Sequence, residues 1–214
     1  MNVRKFVRTL PLVALAICLL FLTTKPALAQ SDTKPVQTPQ DESNLDTQLY
    51  LLVGTNQESE TSPLPAALGP VVKQLHERLS FKNYRLAATL INRVKNEGRL
   101  SLRWVGGPLA AGAASNSTPS FSEFKVDAVK LVTDNNGRMA IRMQNFSFGA
   151  RIPIYTSSAV AANAPPAPVF NYESTGLNTD ISMREGEPVV VGTLNIGPSG
   201  DAIILVVSAK RTPQ

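Results

Sequence analysis

The first apolar stretch, Leu10–Leu22, follows a basic start (Arg4, Lys5, Arg8) and precedes Ala27-Leu28-Ala29. A charged start, a short apolar run and a small-x-small site are the parts of a secretory signal peptide. The run is shorter than the roughly 20 residues a spanning helix needs. The sequence therefore predicts a signal over residues 1–29, cleaved after Ala29. Residues 30–47 are polar, carry Pro35 and Pro39, and read as a flexible leader. Gln48–Thr55 reads as a strand. Leu64, Leu68, Val71, Val72, Leu75 and Leu79 recur at helical spacing, with Pro70 as a kink or the true helix start. Phe81–Lys95 and Arg99–Val105 read as strands around Asn96-Glu97-Gly98, so residues 48–105 read as a β-α-β-β unit.

Residues 106–120 are rich in Gly, Ala and Ser and read as a loop. Residues 121–210 read as an antiparallel β-rich domain, so the fold class is α+β. A three-residue loop at Asn135-Asn136-Gly137, with Gly137 left-handed, places Asp134 opposite Arg138. The same register sets Leu131 against Ile141, Val129 against Met143 and Phe124 against Phe148, which matches apolar with apolar. It also sets Lys130 against Arg142, an unfavourable like-charge pair. The apolar set changes between odd and even positions between Val126 and Val129, and it changes at the matching place between Met143 and Phe146. This predicts that the buried face changes sides where the hairpin bends from one layer into another. Ser157–Pro168 reads as an Ala/Pro-rich loop. A turn at Glu185-Gly186 would pair Met183 with Pro188, Ile181 with Val190 and Leu177 with Leu194. Ala202–Ala209, an unbroken apolar run, reads as a strand covered on both faces at the centre of the sheet.

Composition narrows the function. The 214 residues are 43% hydrophobic and 17% charged, which excludes a multi-span membrane protein and a disordered chain. The net charge of +5 includes four basic residues of the signal, Arg4, Lys5, Arg8 and Lys25; the remainder is near neutral. Nucleic acid is therefore not an expected partner. Ile17 stands before Cys18 where a lipoprotein signal has a small residue, so lipidation is not expected. Without Cys18 the mature chain has no thiol, and the absence of disulfides favours a bacterial envelope over oxidising animal fluids. Asn116-Ser117-Thr118 and Asn145-Phe146-Ser147 match the glycosylation pattern, which carries little meaning in a bacterium.

Candidate chemistry is sparse. His76, the one histidine, sits beside Glu77 and Arg78 on an ordinary helix face and reads as structural. One His without Cys cannot hold a structural zinc. Asp134-Asn135-Asn136-Gly137 opens like a calcium loop but lacks the closing Glu. Glu173, Asp180, Glu185 and Glu187 are the acids from which a glycosidase pair would be drawn. Their turn and polar-face positions read instead as solvated, and 6% aromatic residues with the single Trp104 do not suggest a sugar cleft. Gly106-Gly107-Pro108 is not a phosphate loop. No catalytic, cofactor-binding or metal residues are expected, and the protein reads as non-enzymatic.

Three stretches resemble the bacterial secretin family, the ring-forming outer-membrane channels of type II and III secretion and pilus systems. Asn135–Ile141 running on through Phe148-Gly149-Ala150-Arg151-Ile152-Pro153-Ile154 is similar to that family's Gly-x-x-(Val/Ile)-Pro strand. Phe170–Leu177 is similar to its tyrosine-to-glycine strand entry. Arg184-Glu185-Gly186-Glu187-Pro188-Val189-Val190-Val191-Gly192 is similar to its late hairpin. The resemblance implies a short or accessory relative with structural and assembly work, and no catalytic residues. It implies protein partners of the cell envelope or self-association, and a periplasmic or outer-membrane-associated location without a transmembrane helix in the mature chain. The alternative reading is a soluble periplasmic binding module for a small ligand or a cell-wall polymer. Assembly predicts an available strand edge or apolar patch, and a binding module predicts a concave pocket.

Overall fold

The computed structural model describes residues 43–57, 63–107, 109, 118–134, 136–159, 167–196 and 200–212. The expected signal over residues 1–29 and most of the expected leader lie outside the described residues. Eight strands follow in order: β1 (Asn44–Thr55), β2 (Asn83–Lys95), β3 (Gly98–Gly106), β4 (Ser120–Thr133), β5 (Met139–Ala159), β6 (Ala167–Arg184), β7 (Val189–Ile196) and β8 (Asp201–Arg211). A 3₁₀ turn (Ala66–Leu68) leads into the one described helix, α1 (Gly69–Arg78). The strands form two antiparallel sheets, sheet A in the order β2-β1-β8-β7 and sheet B in the order β3-β4-β5-β6.

Helix and antiparallel strand are both present, but strand dominates. The order strand-helix-strand-strand occurs along residues 44–106, yet these strands share no common sheet. β2 pairs β1 in sheet A, whereas β3 pairs β4 in sheet B. Sheet A is completed by the C-terminus: β1 pairs β8 from Leu45↔Arg211 to Gly54↔Ala202. Neighbours in space are thus neighbours in the chain around the whole circuit, with β8 returning to β1. At two corners, β2–β3 and β6–β7, the chain turns from one sheet to the other.

Those corners are tied to both sheets. At the first, Asn96 N–H donates to Ser43 O (2.9 Å) before β1, and Glu97 N–H donates to Val129 O (2.8 Å) in β4. Asn96 Oδ1 also accepts the Leu131 N–H (2.8 Å). Glu97 takes a left-handed φ of 66° to make this bend. At the second, Gly186, with φ of 80°, donates to Ala209 O (2.8 Å) in β8.

Inner faces of both sheets share one core. Leu45, Leu49 and Leu51 of β1 and Ile203, Leu205 and Val207 of β8 meet Phe124, Val129, Ile141, Met143 and Phe146 of sheet B. The alternate residues of the same two strands, Tyr50, Leu52, Ile204 and Val206, pack under α1 against Leu68, Val71 and Leu75. β8 is therefore central and covered on both faces, as its unbroken apolar run predicts. Pro70 stands in the first turn of α1, which resolves the kink-or-start alternative as a start.

The hairpin register expected from Gly137 is the one observed: Thr133↔Met139, Leu131↔Ile141, Val129↔Met143 and Phe124↔Phe148. Gly137 has φ of 75°, and Asp134 N–H donates to Arg138 O (2.8 Å). The parity change is real but its expected meaning is corrected. Val126, Val129, Met143 and Phe146 all point into the same core. An extra residue on each strand, at Asp127-Ala128 and Gln144-Asn145, shifts the alternation while the inner face stays inner. β6 carries no such extra residue, so its register with β5 slips between Met143 and Phe146. Asn145 absorbs the irregularity at φ of 51°. It donates its N–H to Asp180 Oδ1 (2.7 Å) and Nδ2 to Asp127 Oδ2 (2.6 Å). Nδ2 is the atom that a glycan would occupy.

Three further expectations are corrected. β6 and β7 do not form a hairpin about Glu185-Gly186: β6 pairs β5 along its length and β7 pairs β8. Alternation gave the inward residues Leu177, Ile181 and Met183, but both sheets offered a matching partner. β1 begins at Asn44 rather than Gln48, because Leu45 and Thr47 continue its inward alternation and are buried. The Ala/Pro-rich loop is shorter than Ser157–Pro168, since β5 runs to Ala159 and pairs Ala167.

Two stability outcomes follow. Ile204→Ala empties a fully buried site between sheet A and α1, and chemical denaturation should register a loss of about 2–5 kcal/mol. Lys130→Gln or Arg142→Gln relieves a directly opposed like-charge pair and should raise stability by about 0.2–1 kcal/mol. The double variant should gain no more than the better single, because both remove the same repulsion; additive gains would refute that origin.

Candidate functional site

The four acids singled out by sequence are dispersed, three of them to separate structural partners. Asp180 accepts the Asn145 N–H. Glu185 accepts both the backbone N–H (2.9 Å) and Nε (3.0 Å) of Arg211. Glu187 lies 3.6 Å from Arg184. Glu173 stands exposed on β6 opposite Ile152. His76 meets the ring of Tyr84 edge-on, with centroids 4.7 Å apart. No group of three metal-binding side chains occurs among the described residues. None of the described helices is long and apolar enough to cross a membrane.

Inside, Arg85 stands opposite Val53 at one end of the core and donates to Leu109 O (3.1 Å). Burial pushes its pKa down, and the fully buried Asp201 opposes that shift. The interior is filled by side chains, so a site must be sought outside. The outer face of sheet A lies under α1. The outer face of sheet B has no such cover among the described residues.

Register places the outward residues of sheet B in rows. The first is Val105–Phe121–Arg151–Ser174, and the next is Arg103–Glu123–Gly149–Gly176. Lys125 follows in β4, and past the irregularity come Lys130–Arg142–Ser182 and then Arg184. The first two rows, apart from Gly176, line an open groove of about 490 Å³. Val105 is 63% exposed and Phe121 43%. Gly149 forms the floor, where a Cβ would meet nothing within 4 Å. Gly176 is needed for packing, since a Cβ there would sit 2.5 Å from Phe148 O. Phe121 packs against Tyr172 (centroids 5.7 Å apart), the Arg151 guanidinium lies 5.7 Å from the same ring, and Tyr172 Oη donates to Pro119 O (3.0 Å). Glu123 is held by Lys125 and by Arg103 (3.3 Å), whose hydrogen bonds keep its carboxyl below the usual range.

β6 is the second notable feature. It is an edge strand of 18 residues, and its neighbour at the corner, β7, has 8 and pairs elsewhere. Along Pro168–Ser174 it is bonded to β5 on one side only among the described residues. Sequence reasoning missed both features, because each depends on which strands are neighbours.

No family model matches the chain, and no curated protein matches it. Among solved structures it bears a distant likeness to secretins. Against InvG of the Salmonella SPI-1 type III secretion injectisome the TM-score is 0.31 at 9% identity. Against PilQ, the type IV competence pilus secretin of V. cholerae, it is 0.33 at 9%. Against PulD in the type II secretion outer-membrane complex of Klebsiella pneumoniae it is 0.32 at 12%. Each alignment covers 80% of this chain, but only 65%, 58% and 39% of those chains respectively.

One pH response follows from the second corner. The Arg211 hydrogen bonds lower the Glu185 pKa, so the folded state binds this proton less readily than the unfolded chain. The resulting stability is present above the ordinary glutamate range and is lost as pH falls through the lowered value. In acid titrations of unfolding, Glu185→Gln should flatten that part of the profile; an unchanged profile would remove Glu185 from the account.

Proposed function

We propose that this chain is an exported, non-enzymatic envelope protein that serves as a component or accessory of a secretin-like assembly. The observation that carries the reading is the edge of β6, unpaired on its outer side among the described residues, in the strand that contains the Phe170–Leu177 stretch resembling secretins. An edge strand offers unpaired backbone N–H and C=O groups in a row, and strand addition satisfies them without a specialised pocket. Support comes also from the other two secretin-like stretches, which fall on β5 and on the β6–β7 corner, next to that edge. The signal that the sequence predicts at residues 1–29 accords with export and periplasmic or outer-membrane association. Its partners on this reading are envelope proteins or further copies of itself.

The groove on sheet B favours a second reading, a soluble periplasmic module that binds a small ligand or a cell-wall polymer, because concavity with convergent polar groups is what such a site needs. The mass of the mature protein extracted from the envelope under conditions that preserve complexes separates the two. Assembly predicts a membrane-associated complex many times the monomer mass. It also predicts that Lys substitutions at Val169 and Asn171 in β6 dissolve the complex while leaving the monomer folded. A soluble monomer in the wild type would overturn the assembly reading.

A further inference from the structure

The near-neutral mature chain does not spread its charge evenly. The outer face of sheet B gathers Arg103, Lys125, Lys130, Arg142, Arg151 and Arg184. The acids Glu123, Asp127 and Asp180 lie among these strands and are already engaged. Glu123 is held by Arg103 and Lys125, and Asp127 and Asp180 both accept from Asn145. Arg184 has Glu187 at 3.6 Å. Lys130, Arg142 and Arg151 have no carboxylate partner among the described residues. Two of them, Lys130 and Arg142, stand directly opposite each other, which the free protein holds at a cost. An incoming anion would turn that repulsion into attraction, so relief of it adds to binding.

We propose that this face is a docking surface for an acidic segment of a partner protein, anchored by an apolar side chain in the groove beside Val105 and Phe121. The proposal concerns the face of sheet B, not the edge of β6, and stands whether or not the chain joins a secretin-like assembly. Charge complementarity supplies the acidic requirement. The apolar requirement comes from the groove. Val105 and Phe121 are exposed beside the bare floor at Gly149 and offer no hydrogen bond. Arg151 and Arg142 lie nine positions apart on β5, about 30 Å at about 3.3 Å per residue, the reach of an extended segment of similar length.

A sugar polymer fits less well. The Tyr172 ring has Arg151 over it and Phe121 against it, and its hydroxyl is committed to Pro119, so little of it is left for a pyranose to stack on. A bilayer fits less well too, because the apolar residues line a concavity that a planar lipid surface cannot follow.

The test uses the mature protein and a fluorescent twelve-residue peptide of alternating Glu and Leu, read by anisotropy. Comparison ligands are the same peptide with Gln for Glu, dextran sulfate, and phosphatidylglycerol vesicles. The Glu/Leu peptide is expected to bind at least tenfold tighter than its Gln counterpart and to weaken with rising salt. Arg142→Gln with Arg151→Gln should reduce its affinity at least tenfold with the fold intact by circular dichroism. Lys73→Gln with Lys82→Gln, charge changes remote from this face, should not. Phe121→Ser should weaken the Glu/Leu peptide more than a Glu/Ser peptide, which reports on the anchor. Equal binding of the Gln peptide, equal loss in the Lys73/Lys82 control, tighter binding of dextran sulfate or vesicles than of the peptide, or no peptide binding at millimolar concentration would each overturn the proposal.

Discussion

The pairing of β1 with β8 is the constraint on which the rest depends. It joins the two ends of the described chain and makes both strands central in sheet A. Their alternate residues are then buried on opposite sides, Leu51 and Leu205 in the core between the sheets, Leu52 and Val206 beneath α1. A central strand covered on both faces needs apolar residues at every position, and β8 supplies them from Ala202 to Val207. Sheet A would otherwise end in two unpaired apolar edges, the arrangement that most invites aggregation. Closure through the termini also fixes where the outer strands must go. β2 and β7 become the edges of sheet A, and each must hand the chain to sheet B within a few residues.

That requirement explains the two corners. Asn96-Glu97 and Glu185-Gly186 both bend with a left-handed residue, and both place backbone groups on strands of the circuit beyond the ones they connect. The irregularity at Asp127-Ala128 and Gln144-Asn145 answers a different demand. A strand of 21 residues cannot keep facing one core while the sheet twists, unless its alternation is reset somewhere. β4 and β5 reset together, which preserves their mutual register, and Asn145 caps the exposed polar groups with Asp127 and Asp180.

How much of this was legible in the sequence divides along the range of the interaction involved. The β4–β5 register was readable because a glycine turn and its flanking apolar pairs lie within one short window. The double coverage of β8 was readable because burial on both faces leaves its mark in the strand itself. The fate of β6 was not. Leu177, Ile181 and Met183 declare an inward face, and Val190 and Leu194 match them as well as Ile141 and Phe148 do; only the closure of the circuit decides. The same reasoning covers the basic face. Its members are scattered from Arg103 to Arg184, on alternations that differ before and after the irregularity, and register alone brings them together. One sign of it is visible in the sequence, Lys130 against Arg142, a like-charge pair that argues against a register that is correct.

A packed interior also limits where function can reside. The core between the sheets is occupied by Phe124, Phe146, Ile203 and their neighbours, and one end of it is occupied by Arg85 with Leu109. α1 covers the far side of sheet A with Val71 and Leu75. Among the described residues the outer side of sheet B is left without a covering layer, and β6 is the longest of the sheet-edge strands. The free face is unlike an ordinary solvated sheet, on which charges of both signs alternate and neutralise one another. Here the acids are consumed locally, by Asn145 and by the Arg103–Glu123–Lys125 cluster, and the remaining cations face outward beside uncovered Val105 and Phe121. Like charges opposed across a ladder and apolar side chains left in water both destabilise the free protein. A single kind of contact, with carboxylates over the cations and an apolar group in the groove, relieves both at once.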